Sequence, residues 1–204
     1  MTPCRWVDLS GTTILLDARR GSYLALGPED SRTWHRLLTS AETGCHDEAV
    51  DRLRTQAAQL GLLDAPSFPP PSRQAPRKPT LAWAAWCIVR AGLMLRVRGF
   101  LPAYRWASAS RLLAPTATAT LQPALTTFFR AEHAFVSPLG LADCLPRSLA
   151  LFAFLAASGL SVTHVIGVRR FPFAAHAWVE HDGAKLLQVP NPEEPFTPIA
   201  VLVA

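Results

Sequence analysis

Long uninterrupted apolar runs are missing from this chain of 204 residues. Residues 81–89 are cut off by Arg90, and residues 148–162 fall short of the roughly 18–20 apolar positions that a bilayer-spanning helix needs. Neither a membrane anchor nor a membrane partner is therefore expected, and both segments read as buried parts of a soluble core. Charge is also scarce, at 17% of residues against 50% hydrophobic, which excludes a disordered chain and supplies a sizeable core. The four cysteines (Cys4, Cys45, Cys87, Cys144) stand far apart with no C-x-x-C pair, so a disulfide framework is excluded and reduced thiols are expected. His35, His46, His133, His164 and His181 show no ligand spacing, which speaks against a zinc site. No glycine-rich phosphate loop occurs, so direct ATP use is not expected, and no cofactor is implied. The first residues lack a basic start followed by an apolar run, so no secretory signal is read and a cytoplasmic location is expected.

What is present divides unevenly. Through Asp64 the chain carries seven Arg against nine Asp and Glu, a net of −2; the remainder carries thirteen Lys and Arg against six acids, a net of +7. Such asymmetry predicts two modules, the second suited to an anionic partner such as an acidic peptide. In the first, three short strand-like runs are separated by Ser10-Gly11 and by Arg19-Arg20-Gly21, and two helical stretches follow, the second over residues 47–60 and closed by Gly61. Three strands and then helices in about sixty residues is the outline of a small winged-helix module. Residues 65–79 are proline-rich without periodicity and read as a semi-rigid linker. Beyond it, residues 80–113 predict one or two helices separated by Gly99 and Pro102, and another helix lies near 121–134. A long apolar helix then runs from Cys144 to Ser158, stopped by Gly159. Strand-like runs follow, with Asp182-Gly183 as a hairpin signal.

Two residues draw attention for their chemistry. Cys144 opens its helix beside Asp143, where unpaired backbone N–H groups and a positive partial charge favour a nucleophilic thiolate and can hold an oxyanion. A buried, inert cysteine is the commoner reading of such a residue taken alone. His176 changes the balance. It lies on a predicted strand in AAHAWVEH, where a period of two puts His176, Trp178 and Glu180 on one face. A cysteine at a helix start and a histidine on a following strand is the arrangement of papain-like nucleophilic sites. A third group should orient the imidazole from the next strand, and the side chain available there is Gln188. Trp178 reads as a core or wall residue, and Arg147, one turn into the helix, as a structural ion pair.

DCLPRSLALFAFLAASG, then HVIGV, then HAWVE followed by DG, resembles the signature of the B proteins of lasso-peptide biosynthesis. The resemblance implies a transglutaminase-like, papain-related peptidase domain over residues 80–204, with Cys144 as nucleophile and His176 as general base. It also implies that residues 1–64 are similar to the PqqD-like element that recognises leader peptides. That family usually has an aspartate where this chain has Gln188, an amide that can accept the imidazole N–H but supplies no negative charge. By the same resemblance, Ser22, Tyr23, Leu24, Ala25 and Leu26 on the third strand, with Leu53 and Ala57 on the second helix, flank a groove. A leader peptide would add there as a strand. The implied partners are a precursor peptide and an ATP-using cyclase that receives the freed core. Nucleic acid is not expected, since an acidic first module opposes phosphate binding. The expected protein is thus an α+β, two-module cysteine endopeptidase. The alternatives are a transglutaminase or amidase on the same fold and a non-catalytic peptide-binding scaffold.

Overall fold

The computed structural model describes residues 6–40, 48–59, 68–113, 120–135, 143–186 and 195–204. The chain opens with an antiparallel meander of β1 (Trp6–Leu9), β2 (Thr12–Asp17) and β3 (Ser22–Ala25), followed by α1 (Pro28–Ser40) and α2 (Glu48–Gln59). Ser10 and Gly11 both take positive φ, 54° and 79°, which is what a tight two-residue hairpin turn demands. The larger part comprises α3 (Leu81–Val97), α4 (Phe100–Ser108), α5 (Leu121–Phe135) and α6 (Cys144–Ala157), then β4 (Thr163–Arg169), β5 (Ala174–His181), β6 (Ala184–Leu186) and β7 (Thr197–Val203). These last strands form an antiparallel sheet in the order β6-β5-β4-β7. The predicted turn at Asp182-Gly183 joins β5 to β6 with φ of 49° and 78°.

Helix boundaries follow local chemistry. Thr80 caps α3, its hydroxyl accepting the Trp83 N–H at 3.3 Å. Gly99, at φ 83°, makes the break before α4 by itself. Pro102 lies inside the first turn of α4 rather than between the helices, where its missing N–H removes nothing the helix uses. Helix α6 is buried without interruption from Ser148 to Ala157. A helix apolar all round has to be a central element, and α6 packs between α3 and the four-stranded sheet.

Strand β2 has two apolar faces, and this decides how the parts assemble. Leu15 joins a small core with Leu26, Trp34, Leu37, Val50 and Ala57 under α1 and α2. Ile14 and Leu16, on the opposite face, join the large core formed by α3–α6 and the second sheet. The proline-rich segment, where described, also lies against the larger part. The Arg77 N–H donates to the Ala157 carbonyl at 2.7 Å, the Ser72 N–H donates to Arg111 O at 2.7 Å, and the Arg77 guanidinium covers Trp83. The meander is therefore a layer shared between two cores. The expectation that 81–89 is wholly buried is corrected: Ala84, Cys87 and Ile88 are buried, but Trp86 and Val89 are exposed.

Candidate active site

Cys144 is the first residue of α6. Asp143 precedes it in an extended conformation, and its side chain makes no capping hydrogen bond. Pro146 has no N–H, so the donors left open in that turn are those of Cys144 and Leu145, both beside the thiol. Such a pair can receive charge developing on a carbonyl oxygen. Cys144 is half-buried, at the margin of the large core with Leu145 and Ala175. Cys87 contrasts with it: wholly buried in α3, its thiol is pushed up to about 12 by desolvation, which makes it inert. Cys4 and Cys45 lie outside the described residues.

On β5 the alternation is as read from sequence. Ala175, Ala177 and Val179 face the large core. His176 and Trp178 stand on the other face, their rings stacked with centroids 6.0 Å apart. The Trp178 indole N–H donates to Glu180 Oε1 at 2.6 Å, which fixes the ring, and Lys185 Nζ sits 4.4 Å from its centroid. Gly167 is paired with His176 across the sheet, and a Cβ there would lie 2.7 Å from the Trp178 ring and 2.8 Å from Phe196. Only glycine lets the indole lie flat on the strand. Phe196 closes the other side of the imidazole at 5.5 Å. Desolvation, and then the charge of Lys185, hold the His176 pKa below 6.5, so the ring rests neutral at pH 7.

Helix α6 packs against β5, and Cys144, like the Ala175 that precedes His176, lies at the margin of the large core, while the His176 ring stands on the face of β5 opposite Ala175. Strand β6 pairs with β5 only at Val179–His181, so among the described residues it does not reach His176, whose strand partner is Gly167 of β4. Gln188 lies outside the described residues. Asp182, the nearest carboxylate in sequence, is in the exposed turn and faces His181 at 3.5 Å, not His176. Arg147 forms a two-pronged ion pair with Glu132 of α5, as a structural residue would.

Two arrangements at the site have no signal in the sequence. The first is the place of Tyr23, a proposed leader-binding residue on β3 of the N-terminal meander. Its ring meets Phe173 edge-on at 5.7 Å and packs at the margin of the large core, as Cys144 does. Burial, and then the nearby charge of Cys144, push its phenol up to about 12. The second is a buried chain behind Cys144. Tyr104 Oη is 2.6 Å from His164 Nδ1, and His164 Nε2 is 2.9 Å from Ser148 Oγ, which donates to the Leu145 carbonyl at 3.2 Å. One proton assignment satisfies every group: Tyr104 donates to Nδ1, and Nε2–H donates to Ser148. His164 is therefore neutral, its pKa held at about 3 by burial. Ser148 stands one turn from Cys144, too far along the sequence pattern for spacing alone to link it to His164.

The other proposed binding residues divide. Ser22, Leu24 and Ala25 are exposed, whereas Leu26 and Ala57 fill the small core and Leu53 packs at its border. A peptide lying on β3 would therefore meet Ser22, Leu24 and Ala25 rather than Leu26 or Ala57. Among the described residues, no cluster of His, Cys, Asp and Glu could hold a metal ion.

Residues 85–201, more than half of the chain, match the family model of the transglutaminase-like superfamily. The chain belongs to that superfamily. Comparison with curated proteins finds no match, and neither does comparison with solved structures. The transglutaminase-like segment runs from within α3 to within β7 and contains Cys144 and His176 but none of the N-terminal meander. It thus covers α6, which Cys144 opens, and the four-stranded sheet.

Proposed function

We propose that this transglutaminase-like protein is a cysteine peptidase of lasso-peptide biosynthesis. It would hold a precursor by its leader and hydrolyse the bond between leader and core, releasing the core to a cyclase. The observation that carries this reading is Tyr23: a residue of β3, an edge strand among the described residues, packs on the margin of the large core that also carries Cys144, within electrostatic reach of its thiol. A leader added to β3 would approach that same margin. In this mechanism His176 takes the Cys144 proton as the thiol attacks the scissile carbonyl. The Cys144 and Leu145 N–H groups receive the oxyanion, and Gln188 accepts the other imidazole N–H.

The open edge can be tested directly. The Leu26 N–H donates to Thr13 O, so the alternation of an antiparallel pair turns Leu24 and Ser22 towards β2 and leaves the main-chain groups of Tyr23 and Ala25 facing outward. Ala25→Pro removes an outward donor and leaves the β2 ladder intact, as edge strands tolerate. The full chain should bind its leader and not a scrambled leader, and Ala25→Pro should weaken binding roughly tenfold while leaving kcat little changed at saturation. Equal binding of the two peptides would remove the recognition role.

The neutral His176 gives a pH signature. A general base with a depressed pKa loses activity only as the pH falls below 6.5. Lys185→Ala removes a repelling charge, so the imidazole protonates more easily and the acidic limb of kcat/KM should move to higher pH. A limb that stays in place would mean that His176 does not set it.

A further inference from the structure

We propose that the outer face of α3 is a peripheral docking surface for an anionic lipid bilayer, a role that holds whether or not the peptidase reading is correct. The inner face of this helix, with Ala84, Cys87, Ile88 and Ala91, is sealed in the core. Its outer face carries Trp86, Val89, Leu93 and Val97 at exposures of 41%, 50%, 59% and 71%. Their spacing of three and four residues makes a single stripe along the helix. Isolated apolar side chains on a surface need no explanation, but a continuous stripe does.

Charge chooses the occupant. Arg90 lies over Trp86 at 4.7 Å and near Trp106 at 5.7 Å, and Arg96 and Arg98 are exposed at the far end of the stripe. Between residues 65 and 131 the sequence contains nine Lys and Arg and no Asp or Glu. A second copy of the same face would bring like charges together, which disfavours self-association through it. Nucleic acid would neutralise the arginines but leave Val89, Leu93 and Val97 without a partner. An anionic bilayer serves both: apolar tips and indole enter the headgroup boundary, while guanidinium groups reach outward along their stems to the phosphates. No helix among the described residues is long and apolar enough to cross a membrane, so the contact is with the surface.

The test is flotation of the full chain with vesicles of phosphatidylcholine alone and of phosphatidylcholine mixed with phosphatidylglycerol, at low and at raised salt. The expected result is binding to the mixed vesicles only, weakened by salt. Leu93→Glu combined with Val97→Glu should reduce that binding at least tenfold. Gln122→Glu combined with Thr126→Glu makes the same charge change on the exposed side of α5 and should reduce it far less; circular dichroism checks that both variants are folded. Failure to bind the mixed vesicles overturns the proposal and leaves an acidic protein surface as the fitting occupant. Equal loss from the two pairs also overturns it, because the attraction would then belong to net charge and not to this face.

Discussion

Cys144→Ala is expected to stop cleavage of the precursor, with a fall in single-turnover rate on the order of 10⁴-fold or more, the scale seen when a nucleophile is removed. In the proposed mechanism the atom lost is the one that forms the bond to the scissile carbon, and the first turn of α6 offers no second nucleophile, since Ser148 is buried and committed to His164 and Leu145. Leader binding should be unchanged, because the proposed leader site uses the main chain of β3. Cys87→Ala is the control for thiol loss as such. That thiol is wholly buried among α3, α4 and α6, and removing it leaves a small cavity costing about 1 kcal/mol without touching the chemistry. The two variants should separate cleanly when cleavage and leader binding are measured side by side. Release of core by Cys144→Ala would show that the nucleophile lies elsewhere.

The second large effect concerns stability. His164 sits wholly buried with both ring nitrogens engaged, and burial holds its pKa at about 3 against an ordinary 6.5. As the pH falls, the unfolded chain takes up this proton first. The stability tied to the neutral ring is therefore complete above pH 6.5 and is lost on the way down towards 3. The slope is about 1.4 kcal/mol per pH unit for one proton. His176, depressed in the same direction, adds to it. The cleanest window is pH 6.5 to 5, before most carboxylates titrate. Denaturant unfolding there should show a steep loss in the parent and about one proton less dependence in His164→Gln, which cannot titrate. The variant should also be less stable at pH 7, by about 1–3 kcal/mol, if the amide leaves the buried Tyr104 hydroxyl unpaired. An unchanged slope would mean that His164 is not held neutral.

The buried chain and the two-faced strand show which parts of this protein can be read from its sequence. Turns at Ser10-Gly11 and Asp182-Gly183 are legible because only certain residues accept positive φ, and α6 is legible because fourteen residues with almost no charge need a central place. The shared face of His176 and Trp178 follows from the period of a strand. Pairings between distant segments have no such local signature. Nothing near Tyr23 in sequence announces Phe173 or Cys144, and nothing near Ser148 announces His164 or Tyr104. Gly167 reads as an unremarkable strand glycine until the Trp178 ring is seen against it. The run TTILLD shows a strand apolar on successive positions, yet the large core that takes its other face is built mainly from α3 onward, nearly seventy or more residues away. Exposure of α3 was hidden for the opposite reason: Trp, Val and Leu look the same in a sequence whether they face a core or solvent.

The most direct test of the central claim is the mass of the products formed when the full chain meets its precursor peptide in the presence of a small primary amine. Hydrolysis by Cys144 and His176 predicts two peptides, leader and core, whose masses sum to the precursor plus one water, with no amine incorporated. Precursor recovered intact, or a leader carrying the amine at its new C-terminus in place of a free acid, would contradict a peptidase and leave the binding or acyl-transfer reading of the same fold.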